Sequence, residues 1–126
     1  MKLFSVETDR APLPIGPYSQ AVVCGDVLYI SGQIPLDPAT GTVPEGGIEP
    51  QARQALSNLL AILQSQGLTP AALVKTTVYL NDIGNFAAFN SVYESMLGGA
   101  RPARSVVGVA GLPKNVLVEI EAVACR

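Results

Sequence analysis

Two stretches of helical period, separated by one stretch of strand period, constrain this chain more than any other feature. From about Ile48 to Gln66, Ala52, Ala55, Leu56, Leu59, Ile62 and Leu63 recur at three- and four-residue steps and form one apolar stripe. Gly67 supplies the stop. A second helix runs to about Met96, with Asn85 as N-cap, Phe86, Phe89, Val92 and Tyr93 on its stripe, and Leu97-Gly98-Gly99 as its end. Between them Thr69-Pro70 opens a short turn, with Thr69 as N-cap and proline at the first helical position. Val74 to Leu80 then alternates as a strand, with Val74, Thr76, Val78 and Leu80 on one face and Lys75, Thr77 and Tyr79 on the other.

The flanking segments read as strands. Residues 3–6, 21–24 and 27–31 are rich in β-formers, and the last two are joined by Gly25-Asp26, a hairpin spacing. Residues of about 103–111 and 116–125 flank a turn at Pro113-Lys114-Asn115. The order β-β-β-α-β-α-β-β implies an α+β fold: a mixed, mainly antiparallel six-stranded sheet with both helices packed on one face. No internal repeat or second domain is visible, so residues 1–126 read as a single domain. The opposite sheet face must be polar or covered by another chain. On the last strand it carries Glu119, Glu121, Val123 and Cys125, a mixture that suits partial burial at an oligomer interface. Residues 34–47, rich in proline and glycine, form a long loop, either a lid or interface segment or a plain surface connection.

Composition removes several functional classes. The formal net charge is −2 with no basic run, which weighs against a nucleic-acid partner. Hydrophobic residues make up 48% and charged residues 14%, an apolar balance that points to self-association. No apolar run reaches the roughly 18 residues needed to cross a bilayer, and the N-terminus lacks a signal-peptide pattern, so a cytoplasmic protein without a membrane partner is expected. Cys24 and Cys125 have no metal-type spacing and build no disulfide framework. The chain has no histidine, which excludes histidine-based triads and most zinc sites. A general base must then be Asp, Glu, Tyr, Lys, a terminus or a water.

Two charged residues stand out inside apolar segments: Arg104 in Pro102-Ala103-Arg104-Ser105 and Glu119 in Val118-Glu119-Ile120-Glu121. A guanidinium offers a planar fork of donors that suits a carboxylate ligand. A carboxylate on the next strand in sequence can position a water or pass a proton. The pair suggests a small pocket for an organic acid with its own acid/base group. The alternative is a structural ion pair of Arg104 with Glu119 or Glu121. Arg101, three residues earlier, reads as a solvated surface charge.

Six blocks, in order over nearly the whole chain, resemble the RidA/YjgF family, which also carries the labels endoribonuclease L-PSP and translation inhibitor. They are Ala11-Pro12 through Ile15-Gly16-Pro17-Tyr18-Ser19-Gln20-Ala21, Ser31-Gly32-Gln33-Ile34-Pro35, Val74-Lys75-Thr76-Thr77-Val78, Asn90 with Val92-Tyr93, Pro102-Ala103-Arg104-Ser105, and Val118-Glu119-Ile120-Glu121. The resemblance implies a chorismate-mutase-like fold and a homotrimer with clefts between subunits. It implies hydrolysis of enamines and imines such as 2-aminoacrylate and 2-iminobutanoate to 2-keto acids and ammonia, with neither metal nor other cofactor. Non-catalytic binding of small 2-keto acids is the alternative, and an endoribonuclease or translation inhibitor is the third reading.

Residue by residue, the resemblance makes Arg104 the substrate-carboxylate ligand and Glu119 the group that handles water and proton. Spacing alone leaves Glu121, on the same strand face, as an equal choice; the motif favours Glu119. Tyr18 matches a pocket tyrosine, with packing between subunits as its other role. Ser31-Gly32 matches a strand end where backbone approaches the ligand, and Ser31 has no histidine to make it a nucleophile. Asn90 matches a pocket asparagine and is either a ligand contact or a tether between helix and loop. Val106 stands where many relatives have cysteine, which preserves a backbone N–H and removes thiol chemistry. The segment Leu97 to Arg101 is shorter than in many relatives.

Overall fold

The computed structural model describes residues 2–126, as six strands and two α-helices. In chain order these are β1 (Leu3–Val6), β2 (Ala21–Cys24), β3 (Val27–Gln33), α1 (Ile48–Ser65), β4 (Leu73–Leu80), α2 (Phe86–Leu97), β5 (Ala103–Gly108) and β6 (Val118–Cys125). The sheet order is β1-β2-β3-β6-β4-β5. All neighbours are antiparallel except β4 and β5. The expected α+β sheet with its helices is present, and β6 is inserted between β3 and β4.

That insertion explains why both helices share a face. β3 and β4 each run antiparallel to β6 and so are parallel to one another, joined through α1; β4 and β5 are parallel and joined through α2. Both connections are β-α-β crossovers, and such crossovers have one hand, which drops both helices on the same side. There α1 buries Ala52, Ala55, Leu56, Leu59, Ile62 and Leu63, the stripe read from sequence. α2 adds Phe89, Val92, Tyr93 and Leu97. From the sheet come Leu28, Ile30, Val78, Leu80, Val118, Ile120, Ala122 and Ala124. Gly67, at φ 70, stops α1 where the chain must turn back to the sheet.

Several local expectations are corrected. Val74 does not join the inward face: a bulge between Leu73 and Lys75 gives the buried place to Leu73 and leaves Val74 half exposed. Asn85 makes no side-chain cap on α2. The chain enters that helix through a 3-10 turn at Ile83–Asn85, whose start is capped by Asp82 accepting from the Gly84 N–H at 2.8 Å. Thr69 likewise makes no side-chain cap, although Pro70 does begin a 3-10 turn. β5 stops at Gly108 and β6 begins at Val118, both shorter than expected, while β3 extends to Gln33.

The 34–47 loop is tied down at its start. The buried Asn58 of α1 donates to the carbonyls of Ile34 (3.0 Å) and Leu36 (2.9 Å), and its own Oδ1 accepts from Gln54 at 2.9 Å. Gln20 does the same for the N-terminal loop, donating to the carbonyls of Thr8, Ala11 and Pro12. Among the described residues no buried side-chain nitrogen or oxygen lacks a partner. No helix among them is long and apolar enough to cross a membrane.

Candidate functional site

Arg104 lies on β5, the edge strand, in register with Thr76 of β4. Thr76 is buried and shares a 2.7 Å hydrogen bond with the Tyr93 hydroxyl of α2, so this face of β5 is the helix-covered one. The guanidinium of Arg104 rests 4.7 Å from the Tyr93 ring centroid and 5.7 Å from that of Phe86. Its Nη1 donates to Asn90 Oδ1 at 2.7 Å. Phe86, Asn90 and Tyr93 fall four and three residues apart and so project from one side of α2. Two rings and an amide oxygen thereby fix a half-buried cation in place. Among the described residues no carboxylate lies within ion-pairing distance of it; the one ion pair is Arg53–Glu49, within α1. The ion pair of Arg104 with Glu119 or Glu121 does not form in the chain.

Arg104 opens into a cleft of about 680 Å³ lined by Asn90, Tyr93, Glu94, Gly99, Ala100, Arg101 and Pro102. Val106 lies two residues along the same face and packs against the core. Its neighbours Ser105 and Val107 turn to the other side.

Glu119 is elsewhere. It pairs in register with Tyr79 on β4, on the sheet face that no helix covers. On β4, Thr76 beside Arg104 and Tyr79 beside Glu119 are three residues apart and face opposite sides, so Arg104 and Glu119 occupy opposite faces of the sheet within one chain. Around Glu119 the backbone is shaped to receive it. Strand β3 bulges between Ile30 and Gln33, and Gly32 in that bulge comes against the Glu119 side chain. A Cβ built on Gly32 would stand 2.9 Å from the Glu119 carboxyl carbon and 3.2 Å from its Cγ, so only glycine admits the carboxylate in this position. Ser31 is a tether rather than a free hydroxyl. Its Oγ donates to the Ser19 carbonyl at 2.6 Å and its N–H to the Gln20 carbonyl at 2.9 Å, holding the loop that carries Tyr18. Tyr18, half exposed, lines a small depression together with Gly32.

The two glutamates that spacing could not separate differ here. Glu121 accepts a hydrogen bond from the Tyr79 hydroxyl, whereas Glu119 has no hydrogen-bond partner among the described residues. Burial pushes the Glu119 carboxyl up from the usual glutamate range, and the charge of Glu121 pushes it further. The bond to Glu121 likewise raises the Tyr79 phenol, with help from burial and from the charges of Glu121 and Glu119.

The candidate residues therefore form two groups: Arg104, Asn90 and Val106 on the helix side of the sheet edge, and Glu119, Gly32, Ser31 and Tyr18 on or beside the open face. Sequence reasoning missed the aromatic bed under Arg104, because Phe86 and Tyr93 read as stripe residues; their spacing from Asn90 was the available signal. Arg101, read as a solvated surface charge, is exposed, and it also lines the cleft. Among the described residues no group of three or more His, Cys, Asp or Glu side chains gathers to hold a metal.

These features define an α+β protein with an arginine cleft at one sheet edge and a raised carboxyl on an open sheet face. The family model described as Endoribonuclease L-PSP matches residues 8–126. A RutC family protein of Pyrococcus horikoshii is 51% identical over 94% of this chain and 94% of its own length. A Salmonella typhimurium protein named 2-iminobutanoate/2-iminopropanoate deaminase is 47% identical over 97% of each chain. The crystal structure of Escherichia coli TdcF with bound serine superposes with a TM-score of 0.93, at 44% identity and 98% coverage of both chains. The chain belongs to the RidA/YjgF family, as its six sequence blocks suggested.

Proposed function

We propose that the protein hydrolyses small 2-imino acids and their enamine tautomers to 2-keto acids and ammonia. The observation that carries this reading is Arg104: a half-buried guanidinium, held by Asn90 and two rings, with no carboxylate partner among the described residues. Such a group is prepared to receive a carboxylate, and charge-assisted bidentate pairing is worth more in a secluded cleft than in water. The similarity to a named deaminase and to a serine-bound relative fits a small amino-acid-like ligand.

The chemistry needs little more. With the substrate carboxylate on Arg104, a water adds to the iminium carbon while Glu119 takes its proton. The resulting carbinolamine nitrogen receives that proton, ammonia leaves with the C–N bonding pair, and the remaining hydroxyl loses its proton to give the keto acid. A carboxyl raised by burial accepts and returns a proton at modest cost, which suits it to both steps.

Because Arg104 and Glu119 lie on opposite faces, the reading requires a second copy. The open face of one chain must meet the edge cleft of its neighbour. Such a contact joins two different surfaces, and repetition of it closes a ring; a homotrimer with three shared sites is the assembly we propose. The test is to co-express Arg104→Ala and Glu119→Gln chains and assay early keto-acid release from a serine or threonine dehydratase reaction. Each variant alone is expected to give no acceleration. Random mixing in a ring restores about one site in four, hence about a quarter of wild-type activity. Mixed rings that stay inactive would defeat the shared site, and a wild-type protein without acceleration would defeat the deaminase.

A further inference from the structure

The reaction above does not explain the placement of Tyr79 on the open face. Its Cα is in register with Glu119, yet its hydroxyl reaches diagonally to Glu121, two residues further along β6. We propose that Tyr79 and Glu121 are a positioning pair for Glu119, holding a second carboxylate beside the group that handles the water. The inference rests on the function proposed above and assigns it two further residues. Neither touches substrate in this scheme; both act through Glu119.

The geometry supports a clamp rather than a chance contact. Glu119 and Glu121 point from the same face of β6, about 7 Å apart along the strand. Left alone, two such carboxylates would turn away from each other, because like charges at that separation repel. Glu121 has an alternative partner to turn toward. Lys75 of β4 registers with Val123, one diagonal step beyond Glu121 on the same face. The phenol takes up a Glu121 oxygen from the Glu119 side, and no ion pair forms with Lys75. The other titratable groups on or beside this face are Tyr18, lining the depression beside Gly32, Tyr29 of β3 beside Val123, Cys24 at the end of β2, and Cys125 at the end of β6. From the β5 side the face presents Ser105 and Val107, and from the β3 bulge Gly32, none of which titrates. Within one chain Glu121 is thus the charge that Glu119 feels most directly, consistent with its being the one charge of that chain that raises the Glu119 carboxyl. In the proposed assembly the neighbouring copy's Arg104 also faces Glu119, equally in wild type and in the variants below.

Carbon-13 NMR of protein labelled at the glutamate carboxyl carbon would follow Glu119 directly, beside the pH dependence of kcat/KM for imine hydrolysis. In Glu121→Gln, which keeps an oxygen for Tyr79 but loses the charge, the Glu119 midpoint is expected to move to lower pH. The Glu119-dependent limb of the rate profile should move with it. Tyr79→Phe should move both in the same direction, since the released Glu121 can swing to Lys75. A pair that only stabilised the sheet would alter melting without moving either midpoint. Midpoints unchanged in both variants, or a shift upward, would overturn the proposal. A shift seen by NMR that the rate limb does not follow would overturn its role in the reaction. If the wild-type protein hydrolyses no imine, the reading of the function fails instead, and the NMR titration still decides whether the clamp exists.

Discussion

Replacing Gly32 with alanine should separate the fold from the chemistry. The new Cβ would stand 2.9 Å from the Glu119 carboxyl carbon, whereas carbon atoms in comfortable contact sit about 3.5 to 4.0 Å apart. The carboxylate oxygen Oε2 lies nearer still and overlaps the new Cβ outright, so the carboxyl must retreat by about 1 Å or more. The atoms in the way belong to the far end of a flexible side chain, so the backbone need not move. Gly32 is absent from the positive-φ glycines, so alanine fits its conformation. The entropy lost by the unfolded chain favours alanine by about 0.4 to 1 kcal/mol. Forcing Glu119 off its rotamer costs about 0.5 to 1.5 kcal/mol, so the net change in stability is small. If Glu119 handles the water as proposed, catalysis is less forgiving: a 1 Å misplacement of a reacting group costs about a hundredfold, or about 2.7 kcal/mol of barrier. We expect Gly32→Ala to melt within a few degrees of wild type and to lose about two orders of magnitude in kcat/KM, read from keto-acid release in a coupled dehydratase assay. On a Glu119→Gln background the same change should cost little more, because the group it displaces has already lost its function. Full activity in Gly32→Ala would refute the role of the bulge, and so would an equal loss on both backgrounds.

Asn90→Asp places a carboxylate where an amide oxygen now accepts from Arg104; the new ion pair should compete with substrate and raise KM more than tenfold, measured by steady-state kinetics, with Asn90→Ala less severe. Glu119 holds its proton more tightly in the folded chain than in the unfolded one, so its ionisation weighs against folding as pH rises from the ordinary glutamate value of 4.5 through the raised one. Glu119→Gln should therefore melt above wild type at neutral pH, with the gap closing in thermal scans below pH 4.5; a lower melting point at neutral pH would contradict the cause assigned to the shift. Thr76→Val removes a buried 2.7 Å bond and strands the Tyr93 hydroxyl, which should cost about 1 to 3 kcal/mol in denaturant unfolding and loosen the ring beneath Arg104.

Periodicity exposed the helices and most strands because apolar stripes and glycine stops are local signals. The 48–66 stripe is the face that α1 buries, and Gly67 ends it. What escaped was non-local or irregular. Nothing near Val118 says that this last strand slots between β3 and β4, since sheet order is set by which strands pair across the core. Bulges shift faces without leaving a strong local mark. Val74 looks like a fine inward residue until Leu73 takes its place, and Ser31-Gly32 reads as a strand end while it bends around Glu119. The same blindness hid the opposition of Arg104 and Glu119. Alternation puts Glu119 on the face away from the helices but leaves the face of Arg104 open, and only the register with Thr76 puts Arg104 on the covered side.

That opposition follows from what each side of the sheet can tolerate. A cation on the helix-covered layer is expensive to bury unless it keeps polar contacts and a route to water. The edge strand provides both, because α2 gives Arg104 an amide oxygen and two rings and then ends at Leu97, with Gly99 lining the open cleft beside it. A raised carboxyl needs the reverse: partial desolvation among neighbours, which a central strand such as β6 gives it between β3 and β4. A single chain can meet both requirements only in two different places. The proposed reaction needs them in one place, so under this reading association assembles the site itself, and a dilute monomer that still hydrolysed imines at the wild-type rate would break the argument at its root.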